Sequence, residues 1–126
     1  MAVGQEIYAD VHAVPGVKLA AVAAGIKTDD TPDLVLMELA PASTTAGVFT
    51  RNAFCAAPVT VSKRHLHAEK PTFFLINSGN ANAGLGVAGV TDALTSCQQL
   101  AAGAGVRTEQ VLPFSTGVIG EKLPID

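Results

Sequence analysis

The apolar positions of this chain change rhythm along its length, and each change marks an element. Thr72-Phe-Phe-Leu-Ile-Asn77 is an unbroken run of aromatic and branched side chains, the pattern of a strand covered on both faces. From Gly89 to Ala102 the spacing lengthens. Val90, Leu94, Cys97 and Ala101 recur at helical intervals, with Asp92, Thr95, Ser96 and Gln99 turned away. Gly103 stands where such a helix would stop. Gln110-Val-Leu-Pro-Phe114 then reads as a second strand. Two small, polar, glycine-bearing loops follow the two strands, at 78–83 and 115–120. Strand, helix and strand over about 71–120 predict a βαβ unit with parallel strands and a right-handed crossover. Parallel strands bring their C-terminal ends to one sheet edge. The 77–83 and 115–120 segments should therefore lie side by side, where open α/β sheets place their ligands.

Upstream the pattern is weaker. Residues 1–16 have little periodicity and read as an arm, punctuated by Pro15-Gly16. Residues 17–24 and 34–39 are predicted strands, joined by the polar turn Lys27-Thr-Asp-Asp-Thr-Pro-Asp33. Residues 45–49 and 59–62 are shorter strand candidates, and Ser62 is placed to cap a short helix over 63–69. No repeat or linker divides the chain, so 1–126 reads as one partial domain. Leu34-Val-Leu-Met-Glu-Leu39 and the 72–76 run are nearly continuous in apolar character, so both faces of their sheet want cover. One long helix covers one face at most. The fold is expected to be incomplete without a downstream segment.

Composition narrows the function. Charged residues make up 15% of the chain, against roughly 25% in typical soluble domains, which suggests that more surface than usual faces protein. A net charge of −3 argues against a nucleic-acid partner. The two cysteines show no CxxC spacing, so two free thiols in a reducing compartment are expected. The apolar run at 19–26 is too short to span a bilayer and lacks the basic flank of a secretory signal. The cytoplasm is the default location.

Several features invite a function and are better read structurally. Gly84, Gly86 and Gly89 form a literal GxGxxG, but far from the strand end and without the acidic residue a dinucleotide site needs after its second strand. A helix-entry turn explains them. His65 and His67, placed on one side of a strand, have no third metal ligand nearby and read as part of a solvated segment with Lys63, Arg64 and Glu69. Cys97 falls on the apolar helix face as a core residue, and Cys55 beside Phe54 has no identifiable base. The 77–83 and 115–120 segments lack His, Cys, Asp and Glu but are rich in amides, hydroxyls and backbone N–H groups. Thr116 stands out among them. A Ser-Thr-Gly turn at a strand end can aim a hydroxyl and the next backbone N–H at one point, which is how an oxyanion is held. Asn77, Ser78 and Asn80 are placed in the wall of the same site by the βαβ geometry.

Four stretches together resemble one family. Ala23-Ala-Gly-Ile-Lys27, Ala46-Gly-Val-Phe-Thr-Arg-Asn-Ala-Phe-Cys-Ala-Ala-Pro-Val59, Asn77-Ser-Gly-Asn-Ala-Asn-Ala83 and Ser115-Thr-Gly-Val-Ile-Gly120 are similar, in this order, to signature segments of the ornithine acetyltransferases, the glutamate N-acetyltransferases of arginine biosynthesis. Gly84-Leu-Gly86 departs from the Cys-Thr-Gly that the family usually shows there. The resemblance implies a mixed-sheet, layered α/β sandwich of the DmpA/ArgJ-like type. It implies a precursor that cuts itself before a threonine, whose hydroxyl then takes acetyl from N-acetylornithine and passes it to glutamate by a ping-pong route. Some members also use acetyl-CoA as co-substrate, and no resident cofactor or metal is implied. This chain would be the N-terminal part of the α chain, partnered by the self-derived β chain that carries the nucleophile, and silent alone. The family's oxyanion pair falls on Thr116 and Gly117. Two other readings remain at this point: a related self-cleaving aminopeptidase, and a non-enzymatic module binding a small anion.

Overall fold

The computed structural model describes residues 12–125. Most of the expected N-terminal arm, and Asp126, lie outside them. Four strands form one mixed sheet in the order β1-β2-β3-β4. Val17–Val22 (β1) and Leu34–Leu39 (β2) pair antiparallel around the polar turn, Val22 opposite Leu34 and Val17 opposite Leu39. β2 runs antiparallel to Phe73–Asn80 (β3), with Leu34 opposite Asn77. β3 runs parallel to Val111–Val118 (β4), and Val87–Ala104 (α2) connects them. The βαβ unit thus stands. Its strands are longer than the apolar runs, because Ser78-Gly-Asn80 and Ser115-Thr-Gly-Val118 continue the ladder instead of looping away.

The helix also runs past Gly103, ending at Ala104 with Gly105 in the left-handed conformation as its cap. Its N-terminus begins at Gly86, so the glycine cluster is a helix entry. Cys97 and Ala101 join Val61, Ala93 and Val111 in the buried core, against Phe73 and Leu75 of β3. Asp92, expected to face away, is buried instead.

A second helix replaces two expected features. Residues 59–62 are not a strand and the helix does not start at Ser62: Ala57–Ala68 (α1) is a single helix with Pro58 in its first turn. β-branched Val59, Thr60 and Val61 favour a strand locally. Packing overrides that preference, since Val61, Ser62 and His65 share the helix face that is buried. That face meets the outer edge of β4. Ser62 Oγ donates to the Pro113 carbonyl at 2.7 Å, and His65 Nδ1 to the Val111 carbonyl at 2.8 Å. These carbonyls point away from β3 and would otherwise be an unpaired edge. Pro113, which has no N–H to offer, sits where an edge strand tolerates it. His65 is therefore a core residue, 1% exposed, and not part of a solvated segment; His67 alone is exposed. Residues 45–49 form no strand either, and Val48 is fully exposed.

Both helices join the core on the Phe73, Leu75 and Val111 face. On the other face Phe74 and Phe114 meet edge to face at 5.3 Å, and Phe114 stays 40% exposed. The need for further cover, legible in the continuous apolar runs, persists there.

Candidate functional site

The two glycine-bearing segments come together as the parallel order requires. Asn77 is opposite Ser115, Ser78 opposite Thr116, and Gly79 opposite Gly117. The ladder then shifts register at Gly79 and Asn80, which end β3 in a bulge. The Gly79–Gly117 step is unusually close. A Cβ on Gly117 would lie 2.2 Å from the Gly79 carbonyl carbon and 2.5 Å from the Asn80 nitrogen. Gly117 also has φ +138°, and Gly79 +105°, where L side chains are strained. Glycine at both positions lets two backbones touch and leaves Thr116 and Gly117 exposed at the sheet's end. Among the described residues the Thr116 hydroxyl makes no hydrogen bond, so it is available to a ligand.

The asparagines beside this pair are framework. Ser115 Oγ donates to Asn77 Oδ1 at 2.5 Å, and Asn77 Nδ2 donates to the Asn80 carbonyl at 2.8 Å. Asn80 Nδ2 reaches the Glu121 and Lys122 carbonyls at 3.0 and 3.2 Å, fastening the chain after β4. Asn80 Oδ1 accepts from the Asn82 N–H at 2.7 Å, and Asn82 Nδ2 donates to the Gly89 carbonyl in the first turn of α2. Asn77, Asn80 and Asn82 are all buried. Asn77 and Ser115 line a cavity of about 310 Å³ on the helix side, with Leu75, Leu100 and Leu123. Ser78 is half-buried, and its N–H donates to the Asp33 carbonyl at 2.8 Å.

Asp33 was read as a turn residue and proves central. Only 2% exposed, its carboxylate accepts from the N–H groups of Ala24, Ile26 and Lys27 at 2.7, 2.7 and 2.8 Å. Those bonds, the one from Lys27 foremost, hold its carboxyl below the usual carboxylate range. The Ala24–Lys27 turn is thereby set against β3, where a Cβ on Gly79 would come within 3.0 Å of Lys27 Cγ. The x-Pro-Asp at the end of the polar turn was the sequence signal for a local cap; its reach to the site was not.

Other chemistry is thin. Burial pushes the Cys97 thiol up to about 12, so it stays protonated and inert. Both cysteines are free, and among the described residues the hydrogen-bond partner of Cys55 Sγ is Thr60 Oγ1, at 3.7 Å. Among the described residues no three His, Cys, Asp or Glu side chains gather to hold a metal, and no helix is long and apolar enough to cross a membrane.

Residues 18–126 match the ArgJ family. The arginine biosynthesis bifunctional protein ArgJ of Methylococcus capsulatus is 53% identical over 113 residues, which make up 90% of this chain and 28% of that protein. The crystal structure of the protein of the same name from Bacillus halodurans matches with a TM-score of 0.82 at 33% identity, over 88% of this chain and 58% of that one. The ornithine acetyltransferase of Mycobacterium tuberculosis, solved in complex with ornithine, matches with a TM-score of 0.78 at 38% identity, over 88% of this chain and 61% of that one. The chain spans well under a third of the curated Methylococcus relative's length.

Proposed function

The chain belongs to the ArgJ family of arginine-biosynthesis acyltransferases, and from that premise we propose that it supplies the oxyanion hole of an acetyl transfer from N-acetylornithine to glutamate. The observation that carries the reading is the exposed Thr116–Gly117 pair, set at the C-terminal end of β4 where only glycine allows the close strand approach.

The chemistry follows from what such a pair can do. A threonine hydroxyl at the N-terminus of a self-derived β chain, downstream of this segment, attacks the acetyl carbonyl of N-acetylornithine. The carbonyl π electrons move to oxygen, and the Thr116 O–H and Gly117 N–H donate to that oxyanion. Collapse breaks the C–N bond, ornithine leaves with a proton on its amine, and acetyl remains as an ester on the nucleophile. Glutamate's amine then attacks the ester through a second oxyanion in the same hole, and the threonine hydroxyl is restored. Acetyl-CoA, as an alternative donor, would enter at the first step. No resident cofactor is needed. The segment is one partial domain of a cytoplasmic α/β assembly and does no chemistry alone.

Two experiments test this. Intact mass of the protein made from its complete reading frame should show two chains, the second beginning at threonine; a single uncut chain would remove the nucleophile. In the complete enzyme Thr116→Ala should lower turnover by roughly a hundredfold or more, the usual effect of deleting one such donor. A loss under about threefold would be incompatible with an oxyanion role.

A further inference from the structure

The donors proposed for the oxyanion hole sit where glycines carry the backbone of both strands. Gly79 and Gly117 face each other at positive φ, and the ladder shifts register beside them. Glycine has more backbone freedom to lose than any other residue, and a shifted ladder gives it fewer fixed partners. Yet an oxyanion hole works only if its donors are already in place, since donors that must reorient lose most of their effect. Main-chain bonds from the Ala81 N–H to the Val118 carbonyl and from the Gly120 N–H to the Ala83 carbonyl hold the chain beyond the step, and side chains can add hold at the step itself.

We propose that the Asn77–Ser115 pair is the positioning element of the site, an amide clip that spans the glycine step and fixes Thr116 and Gly117. Asn77 uses both ends of its side chain. Its Oδ1 takes the Ser115 hydroxyl on β4, one residue before Thr116, and its Nδ2 gives to the Asn80 carbonyl on the far side of Gly79. One buried planar group thus ties β4 to β3 ahead of the glycines and ties β3 to itself beyond them. Asn80 extends the tie to the Glu121 and Lys122 carbonyls, so the chain is held on both sides of residues 116–120. The register supports the assignment, because Asn77 and Ser115 are directly opposed two positions before the glycine step, on the same face of the sheet. An aspartate at 77 would be isosteric but would turn an acceptor oxygen toward the Asn80 carbonyl, replacing the second bond with a repulsive contact. Neither residue touches the reacting atoms, so both are positioning residues. The inference rests on the oxyanion role of Thr116 and Gly117.

The test is a double-mutant cycle on the complete enzyme. Ser115→Ala should lower kcat by roughly tenfold or more with KM for both substrates within about twofold, as displacing a preorganised group does. Ser115→Thr, which keeps the hydroxyl, should restore kcat to within about threefold of wild type. In a Thr116→Ala background the same Ser115→Ala change should cost at least about threefold less than it does in wild type, because one of the two donors it positions is gone. If Ser115→Ala does not fold, Ser115→Cys, a weaker donor of similar size, carries the same thresholds. Unchanged kcat in Ser115→Ala, or an equal loss in both backgrounds, overturns the positioning role. Unchanged turnover in Thr116→Ala overturns the oxyanion reading itself, and this inference with it.

Discussion

Gly117→Ala tests the close strand approach directly. The added methyl would sit 2.2 Å from the Gly79 carbonyl carbon and 2.5 Å from both the Asn80 nitrogen and the Gly79 oxygen. All three are backbone atoms, so no side chain can swing aside; β3 and β4 must separate or the turn must change. Forcing an L residue into φ near +138° costs about 1–3 kcal/mol, and overpacking of this kind costs typically a further 1–3 kcal/mol. Together that is about 2–6 kcal/mol, out of the roughly 5–15 kcal/mol that hold a domain folded. Gly103→Ala is the matched control. Gly103 lies inside α2 with nothing within 4 Å of an added Cβ, so alanine there should stabilise by about 0.4–1 kcal/mol. Equilibrium urea unfolding of the complete protein, followed by far-ultraviolet circular dichroism, reads both. The two variants should move the midpoint in opposite directions. A Gly117→Ala midpoint equal to wild type would refute the claim that the strands touch at this step.

Three further outcomes follow from the framework. Ser62→Ala and His65→Leu, which strip the side-chain caps from β4's edge carbonyls, should each destabilise by about 1–3 kcal/mol, while exposed His67→Ala stays within about 0.5 kcal/mol; equal effects at 65 and 67 would contradict the edge-cap assignment. Asp33 has a depressed carboxyl pKa, so the stability it contributes is present above the ordinary carboxylate range and lost as pH falls through its folded-state value. Asp33→Asn should therefore be less stable at neutral pH and lose less on acidification than wild type; parallel acid profiles would dismiss that account. In the native complete protein at pH 8, labelling mapped by peptide mass should reach Cys55, and Cys97 only in denaturant, because a Cys97 thiol held near 12 leaves about one part in ten thousand as thiolate; rapid native labelling of Cys97 would rule out the buried, protonated state.

The sequence exposed the meeting of the two parallel strand ends better than it exposed the helix beside them, and particular residues show why. The 72–77 and 110–114 runs announce their strands because burial on both faces leaves no polar break in the pattern. The order of elements then forces Ser78 and Thr116 together before any coordinate is known. The first half of α1 was missed for the opposite reason. Val59-Thr-Val61 carries strand propensity, and what makes it helical is a set of contacts far along the chain, to the carbonyls of Val111 and Pro113. Local propensity contains no term for an edge strand fifty residues away. His65 was misplaced with it, since an imidazole serving as an edge cap looks in sequence like any histidine in a charged stretch.

The same reasoning accounts for the asparagines. An Asn-rich, glycine-bearing segment after a strand reads as a loop whose amides face a ligand, because Asn favours turns and binding sites alike. In the structure those amides instead close on backbone carbonyls at Asn80, Glu121, Lys122 and Gly89. This is what the geometry needs. A backbone bearing glycines at 79 and 117 has few side chains of its own to pack, so its shape must be imposed by groups that bond the main chain directly. Asparagine does so with a donor and an acceptor on one short rigid plane, which neither a charged side chain nor a hydroxyl alone offers. The residues that look most like ligand contacts in the sequence are spent holding still the two that remain exposed.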